Sequence, residues 1–234
     1  MNRIFLFLIA VSILISSCHQ RQTDVGPTVL GLDYYPLDSG RYWIYSIHQT
    51  TFNTVSTDTT FQMMEVIYDT MHFGGNIIYE LYRFYRSDSS VAWPAQPDSV
   101  WTLTCNNYEL DIKENDVEFV RLAFPLNNNQ VWNGNARNIG NAQQYSIINF
   151  GLAFSDTISS SVVNTYPKTC TVQEAHDSSL VSLNYRNRIY AKDVGLVYRK
   201  YRTLSFDTQQ GNIGLFIITY SDIIEQKLLA YGKP

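Results

Sequence analysis

Three cysteines, four histidines and one tight group of acids are the residues of this 234-residue chain whose types could do chemistry. Cys18 follows two small residues, Ser16 and Ser17, at the end of the apolar run 4–15, where a secretory leader would be cut. Cys105 and Cys170 fall on apolar strand phases: Trp101, Leu103 and Cys105 alternate together, as do Cys170 and Val172. They either form a disulfide, worth ~3–5 kcal/mol for so long a loop, or stay two buried thiols acting as small apolar groups. His19, His48, His72 and His176 are scattered, with no H-E-x-x-H and no close Cys/His set, so no metal site is expected. His176-Asp177-Ser178 holds triad residue types, but neighbours in sequence do not make triad geometry, and it reads as a polar turn. Asp111, Glu114, Asp116 and Glu118 could supply a carboxylate pair, yet they surround a turn, where acids are solvated. There is no G-x-S-x-G, no G-x-G-x-x-G and no P-loop, so no catalytic residue and no cofactor is expected, and the chain is not read as an enzyme. The aromatics Tyr79, Tyr82, Tyr85, Trp93 and Trp101 either line a groove for a sugar or lipid or fill a β core.

The start of the chain carries an address. Arg3 is a positive n-region, and residues 4–15 are an h-region too short to span a bilayer. Ile15-Ser16-Ser17-Cys18 resembles the bacterial lipobox. That resemblance implies cleavage between Ser17 and Cys18, diacylglycerol on the thiol, and often a further acyl chain on the new amino group. Burial contributes ~0.8 kcal/mol per CH₂, so two or three chains hold a protein on a membrane where one does so marginally. The four residues after Cys18 (His19-Gln20-Arg21-Gln22) lack the acids that in some lipoproteins direct export to the outer face, which points to an outer membrane anchor facing the periplasm.

Removing residues 1–17 leaves 217, enough for one large β domain, with 16 basic and 21 acidic side chains. A mild acidic balance without a basic face excludes nucleic acid as a partner. Seventeen tyrosines and four tryptophans, with many Thr and Asn, favour strands joined by polar turns.

The elements that would hold these residues are strands. Residues 18–30, broken by Gly26-Pro27, read as a lipidated flexible tether, and 31–234 as one antiparallel β domain. Trp43, Tyr45 and Ile47 share a face; 61–68 and 76–86 form a hairpin around Gly74-Gly75; 100–105, 108–113 and 117–124 form a meander. The Asn-rich stretch 127–141 is a loop, and strands resume at 144–150, 169–174, 185–191 and 195–206. A turn through 207–212 leads to a strand at 214–220, and 222–231 is taken as a further strand over a helix. Apolar residues on both phases of 76–86 call for a curved sheet, a half-barrel or a sandwich, with few or no helices. Pro36-Leu37-x5-Trp43 recurs as Pro125-Leu126-x5-Trp132, read as one turn chemistry used twice.

Three stretches together resemble a family of uncharacterised bacterial lipoproteins: Tyr35-Pro36-Leu37-x-x-Gly40-x-x-Trp43-x-Tyr45; Phe124-Pro125-Leu126 with Trp132-Asn133-Gly134-Asn135; and Tyr190-Ala191-Lys192-Asp193-Val194-Gly195-Leu196-Val197. The resemblance implies an antiparallel β fold, a curved sheet like the half-barrels of lipoprotein carriers, and no activity. The expected function is a lipid-anchored cell-envelope protein with a structural or interaction role, bound to the membrane through Cys18 and to an envelope protein. The alternative is a carrier of a lipid-like apolar ligand inside a concave sheet.

Overall fold

The computed structural model describes residues 26–159 and 162–233, so the leader and Cys18 lie outside the described residues. One helical turn, α1 (Pro27–Leu30), and a 3-10 turn (Leu32–Tyr34) precede twelve strands. These are β1 (Tyr42–Asn53), β2 (Val55–Phe73), β3 (Asn76–Arg86), β4 (Ser99–Cys105), β5 (Glu109–Glu114), β6 (Val117–Ala123), β7 (Val131–Asn133), β8 (Gln144–Ser159), β9 (Val162–Ser178), β10 (Ser182–Ala191), β11 (Gly195–Phe206) and β12 (Ile218–Gly232). They form one antiparallel sheet in the order β6-β5-β4-β3-β2-β1-β12-β11-β10-β9-β8-β7. Only β1 and β12 pair across a large sequence separation; every other neighbour is a hairpin or meander contact, as the turn chemistry predicts.

The sheet curls until its two outer strands meet. Val120 N–H of β6 donates to Gly134 O just past β7 at 2.9 Å, and the Trp132 indole donates to Val120 O at 2.9 Å. Gln130 and Asn138 side chains donate to Ala123 O and Glu118 O. An exposed edge would offer these carbonyls to other chains; the Asn-rich loop satisfies them and nearly closes a barrel. Gly134 is required here, because a Cβ on it would stand 2.3 Å from the Tyr145 ring.

Alternation then sorts side chains into and out of the barrel. Trp43, Tyr45 and Ile47 of β1 point inward and are at most 3% exposed. They are joined by Met63 and Ile67 of β2, Leu81 of β3, Leu103 of β4, Ile147 of β8, Val172 of β9 and Leu228 of β12. One inner row runs across five neighbouring strand pairs: Ile47, Gln226, Arg199, Arg188, Val172 and Ile147.

The ends differ. One, the tether end, holds the starts of β1 and β11 and the finish of β12, and residues 26–41 and 124–130 lie across it. Leu126 N–H donates to Leu30 O and Asp193 N–H to Asp33 O. The far end holds the turns between β1 and β2, β5 and β6, β9 and β10, and β11 and β12.

Three expectations need correction. The last four residues of the expected tether form α1. The expected separate strands at 214–220 and 222–231 are one strand, β12, and 214–217 belong to a loop in which Phe216 takes a positive φ of 55°. β8 and β9 run much further than expected, as an arm whose Phe154 packs on Tyr198 and whose Asp156 pairs with Lys227 at 3.1 Å. The polar residues of 151–168 conceal an alternation whose Phe154 and Tyr166 pack against the barrel.

Candidate functional site

Seven charged side chains (Arg83, Arg121, Arg188, Arg199, Glu65, Glu114 and Glu174) lie inside the barrel, where a sequence pattern predicts none. Arg121 of β6 reaches Glu114 of β5 at 2.7 Å and, across the interior, Glu174 of β9 at 2.9 Å. Arg188 of β10 pairs with the same two acids, at 3.5 and 2.8 Å. Tyr201 donates to Glu174 Oε2 at 2.6 Å and accepts from Arg188 Nε at 2.9 Å, while Tyr145 accepts from Arg121. A separate pair joins Arg83 to Glu65 at 3.0 Å, with the guanidinium 3.6 Å over the Trp101 ring. Burial alone would push the Glu114 and Glu174 carboxyls up, but the facing guanidinium groups hold both below the usual carboxylate range.

This lattice binds the barrel to itself. Each inner carboxylate is held by an arginine, and burial pushes the Tyr145 and Tyr201 phenols up, so neither is a base. Among the described residues no group of three or more His, Cys, Asp or Glu side chains could hold a metal ion. The four acids around the β5–β6 turn separate: Glu114 enters the lattice, Asp111 is buried near Glu109 and Arg137, Asp116 stands in solvent, and Glu118 is half-buried on β6. His176, Asp177 and Ser178 finish strand β9 instead of making a turn, and His176 packs edge-on against Tyr185.

Of the two readings of the cysteine pair, the structure has the second. Cys105 on β4 and Cys170 on β9 are free thiols, seven steps apart along the strand order, and sequence carries no measure of that separation. Burial pushes their pKa values up to about 11 and about 12.

The five aromatics do not share one surface. Trp101 and Tyr85 flank Arg83 inside, and Tyr79 packs against the core. Tyr82 stacks on Tyr68 at 4.3 Å, on the opposite strand phase, and Trp93 lies under Arg86 in the β3–β4 loop.

Two features open to solvent. A groove of about 780 Å³ lies outside the barrel at the tether end, between residues 163–168 of the β8–β9 arm and 228–231 of β12, above the 191–194 turn. At the far end, Ile213, Leu215, Phe216, Ile217 and Ile218 are 45–62% exposed. The loop carrying them is tied to the β9–β10 turn, with its exposed Leu180 and Val181, by Phe206 N–H donating to Val181 O. Seven exposed apolar side chains therefore gather at this end of the protein. The run is visible in the sequence, but there its composition reads as a buried strand.

No family model and no curated protein matches the chain. Among solved structures it is similar to a proposed exported protein with a YmcC-like fold from Bacteroides fragilis NCTC 9343, at 9% identity and TM-score 0.42 over 85% of this chain and 98% of that one. It is also similar to a proposed lipoprotein from Parabacteroides distasonis ATCC 8503, at 13% identity and TM-score 0.39 over the same shares of the two chains.

Proposed function

We propose that this protein is a lipid-anchored, non-catalytic component of a bacterial cell envelope that acts by holding another envelope protein. The filled interior carries this reading. The cavity beside Leu81, Trp101 and Gln226 measures about 10 Å³, on the order of one water molecule, and that beside Tyr145 and Glu174 about 110 Å³, so an acyl chain has no place among the inner side chains. That removes the main support for a carrier with its ligand in the concave face.

Gly26 lies eight positions after Cys18, and an extended chain reaches roughly 3.3–3.6 Å per residue. A lipid on Cys18 would therefore hold the tether end within roughly 30 Å of an outer membrane's periplasmic surface and leave the far end facing away. The apolar patch at that far end is the docking surface, and its partner presents an apolar groove.

Two measurements test the reading separately. Labelled palmitate should enter the wild-type chain and not Cys18→Ala; label in the variant refutes the anchor. A photo-crosslinker at position 217 should capture one envelope protein, and Phe216→Ser should abolish that capture without lowering Tm. Crosslinks to a second copy of this chain alone, or none, refute the docking role.

A further inference from the structure

The inner charges do not balance. Arg83 is matched by Glu65, and Arg121 and Arg188 by Glu114 and Glu174. Arg199 of β11 also points inward, and no carboxylate pairs with it among the described residues; its Nε is buried without a hydrogen-bond partner. Asp222 shares its inner strand phase but lies two rows away, bonded to Gln49.

Two further polar groups are stranded beside it. Gln226, the cross-strand neighbour of Arg199, is 1% exposed and neither its Nε2 nor its Oε1 has a partner. Tyr190 is also 1% exposed and its hydroxyl is unpartnered. Arg199, Gln226 and Tyr190 line the same small cavity, together with Glu65 and Arg188. A buried polar atom without a partner is destabilising, and the half-buried Arg199 guanidinium has no carboxylate beside it. Three such residues around one space form a built site, not a scatter of imperfections.

We propose that this cavity binds one small monovalent anion of halide size. Arg199 Nε–H, Gln226 Nε2–H and Tyr190 O–H are three donors set against one unpartnered acceptor, Gln226 Oε1, so donors are in excess and an anion accepts from them. It also supplies the negative charge that the four inner arginines and three inner glutamates lack. Small size follows from the volume, which excludes carboxylates and phosphate. Access is from the far end, where Phe61, Tyr85 and Ile224 are only partly buried.

The test compares melting at fixed ionic strength in chloride, bromide and gluconate. An anion that binds only the folded chain raises Tm, by about 3–6 °C at ten times its Kd for a protein of this size. Wild type should show this halide-specific rise. Gln226→Glu should lose it and melt in gluconate as wild type melts in chloride, because the new carboxylate replaces the ion beside Arg199. An equal response of wild type and Gln226→Glu to halide overturns the proposal. Should the variant fail to fold, wild-type crystals soaked in bromide decide. An anomalous peak between Arg199, Gln226 and Tyr190 sustains the site, and a water there without anomalous signal refutes it.

Discussion

Arg121 on β6 and Glu174 on β9 are joined by a 2.9 Å ion pair that crosses the inside of the barrel. Both side chains are at most 4% exposed, so neither can be solvated if the other is lost. Removing one member of a buried pair costs about 3–5 kcal/mol, chiefly because a charge is left behind unmatched. Arg121→Met should therefore lower the free energy of unfolding by about that amount, and Glu174→Gln by less, since the amide still accepts from Tyr201. Urea denaturation of the two variants checks the order. Equal, small losses would mean that the lattice is solvated in the native protein.

Gly195 and Trp43 form the second joint. Gly195 sits at φ 109°, and a Cβ there would stand 3.0 Å from the Trp43 indole nitrogen, which donates to Val194 O at 2.6 Å. Gly195→Ala then combines backbone strain with displacement of a buried ring, for a loss of about 2–3 kcal/mol. Trp43→Phe shortens the ring, and a double-mutant cycle should show that part of the Gly195→Ala cost disappears in its presence. Strict additivity would put the cost in the backbone alone.

That joint also shows what the sequence made legible. The opening stretch ending in Trp43-x-Tyr45 and the late stretch Tyr190–Val197 lie one against the other: Tyr35 packs on both Trp43 and Tyr190, and Tyr45 donates to Leu196 O. Local alternation and turn chemistry revealed β1 to β6 and the all-β class, because those signals are near-neighbour ones. Barrel closure was hidden, since the bonds from Trp132, Gln130 and Asn138 to β6 depend on a sheet curvature that no short window encodes. The inner lattice was hidden for another reason. Arg121, Arg188 and Glu174 sit at inward positions where charge normally argues for solvent, and only their mutual pairing permits them there.

The thiols offer a chemical check on the separation of Cys105 and Cys170. With pKa values pushed to about 11 and about 12, neither is a thiolate at pH 8. Folded Cys18→Ala protein should react slowly with a thiol reagent, and denatured protein should expose two thiols whether or not it was first reduced. A rise in labelling after reduction would restore the bridge.

Asp111 should make stability fall as pH rises. Its carboxyl is buried with Oδ1 unpartnered, and burial, reinforced by Glu109, pushes its pKa from 3.8 to about 7 although Arg137 opposes this. The native state therefore holds this proton more tightly than the unfolded chain, so between about pH 4 and pH 7 it binds more protons and loses stability as they leave. At about 1.4 kcal/mol per pKa unit the effect is on the order of 4 kcal/mol. Asp111→Asn removes the ionisation. The variant should match wild type near pH 4 and exceed it by that margin at pH 8, where wild type must carry a buried charge. Urea midpoints for the two proteins across this window measure the difference, and curves that stay parallel would show that Asp111 ionises in the folded barrel without penalty.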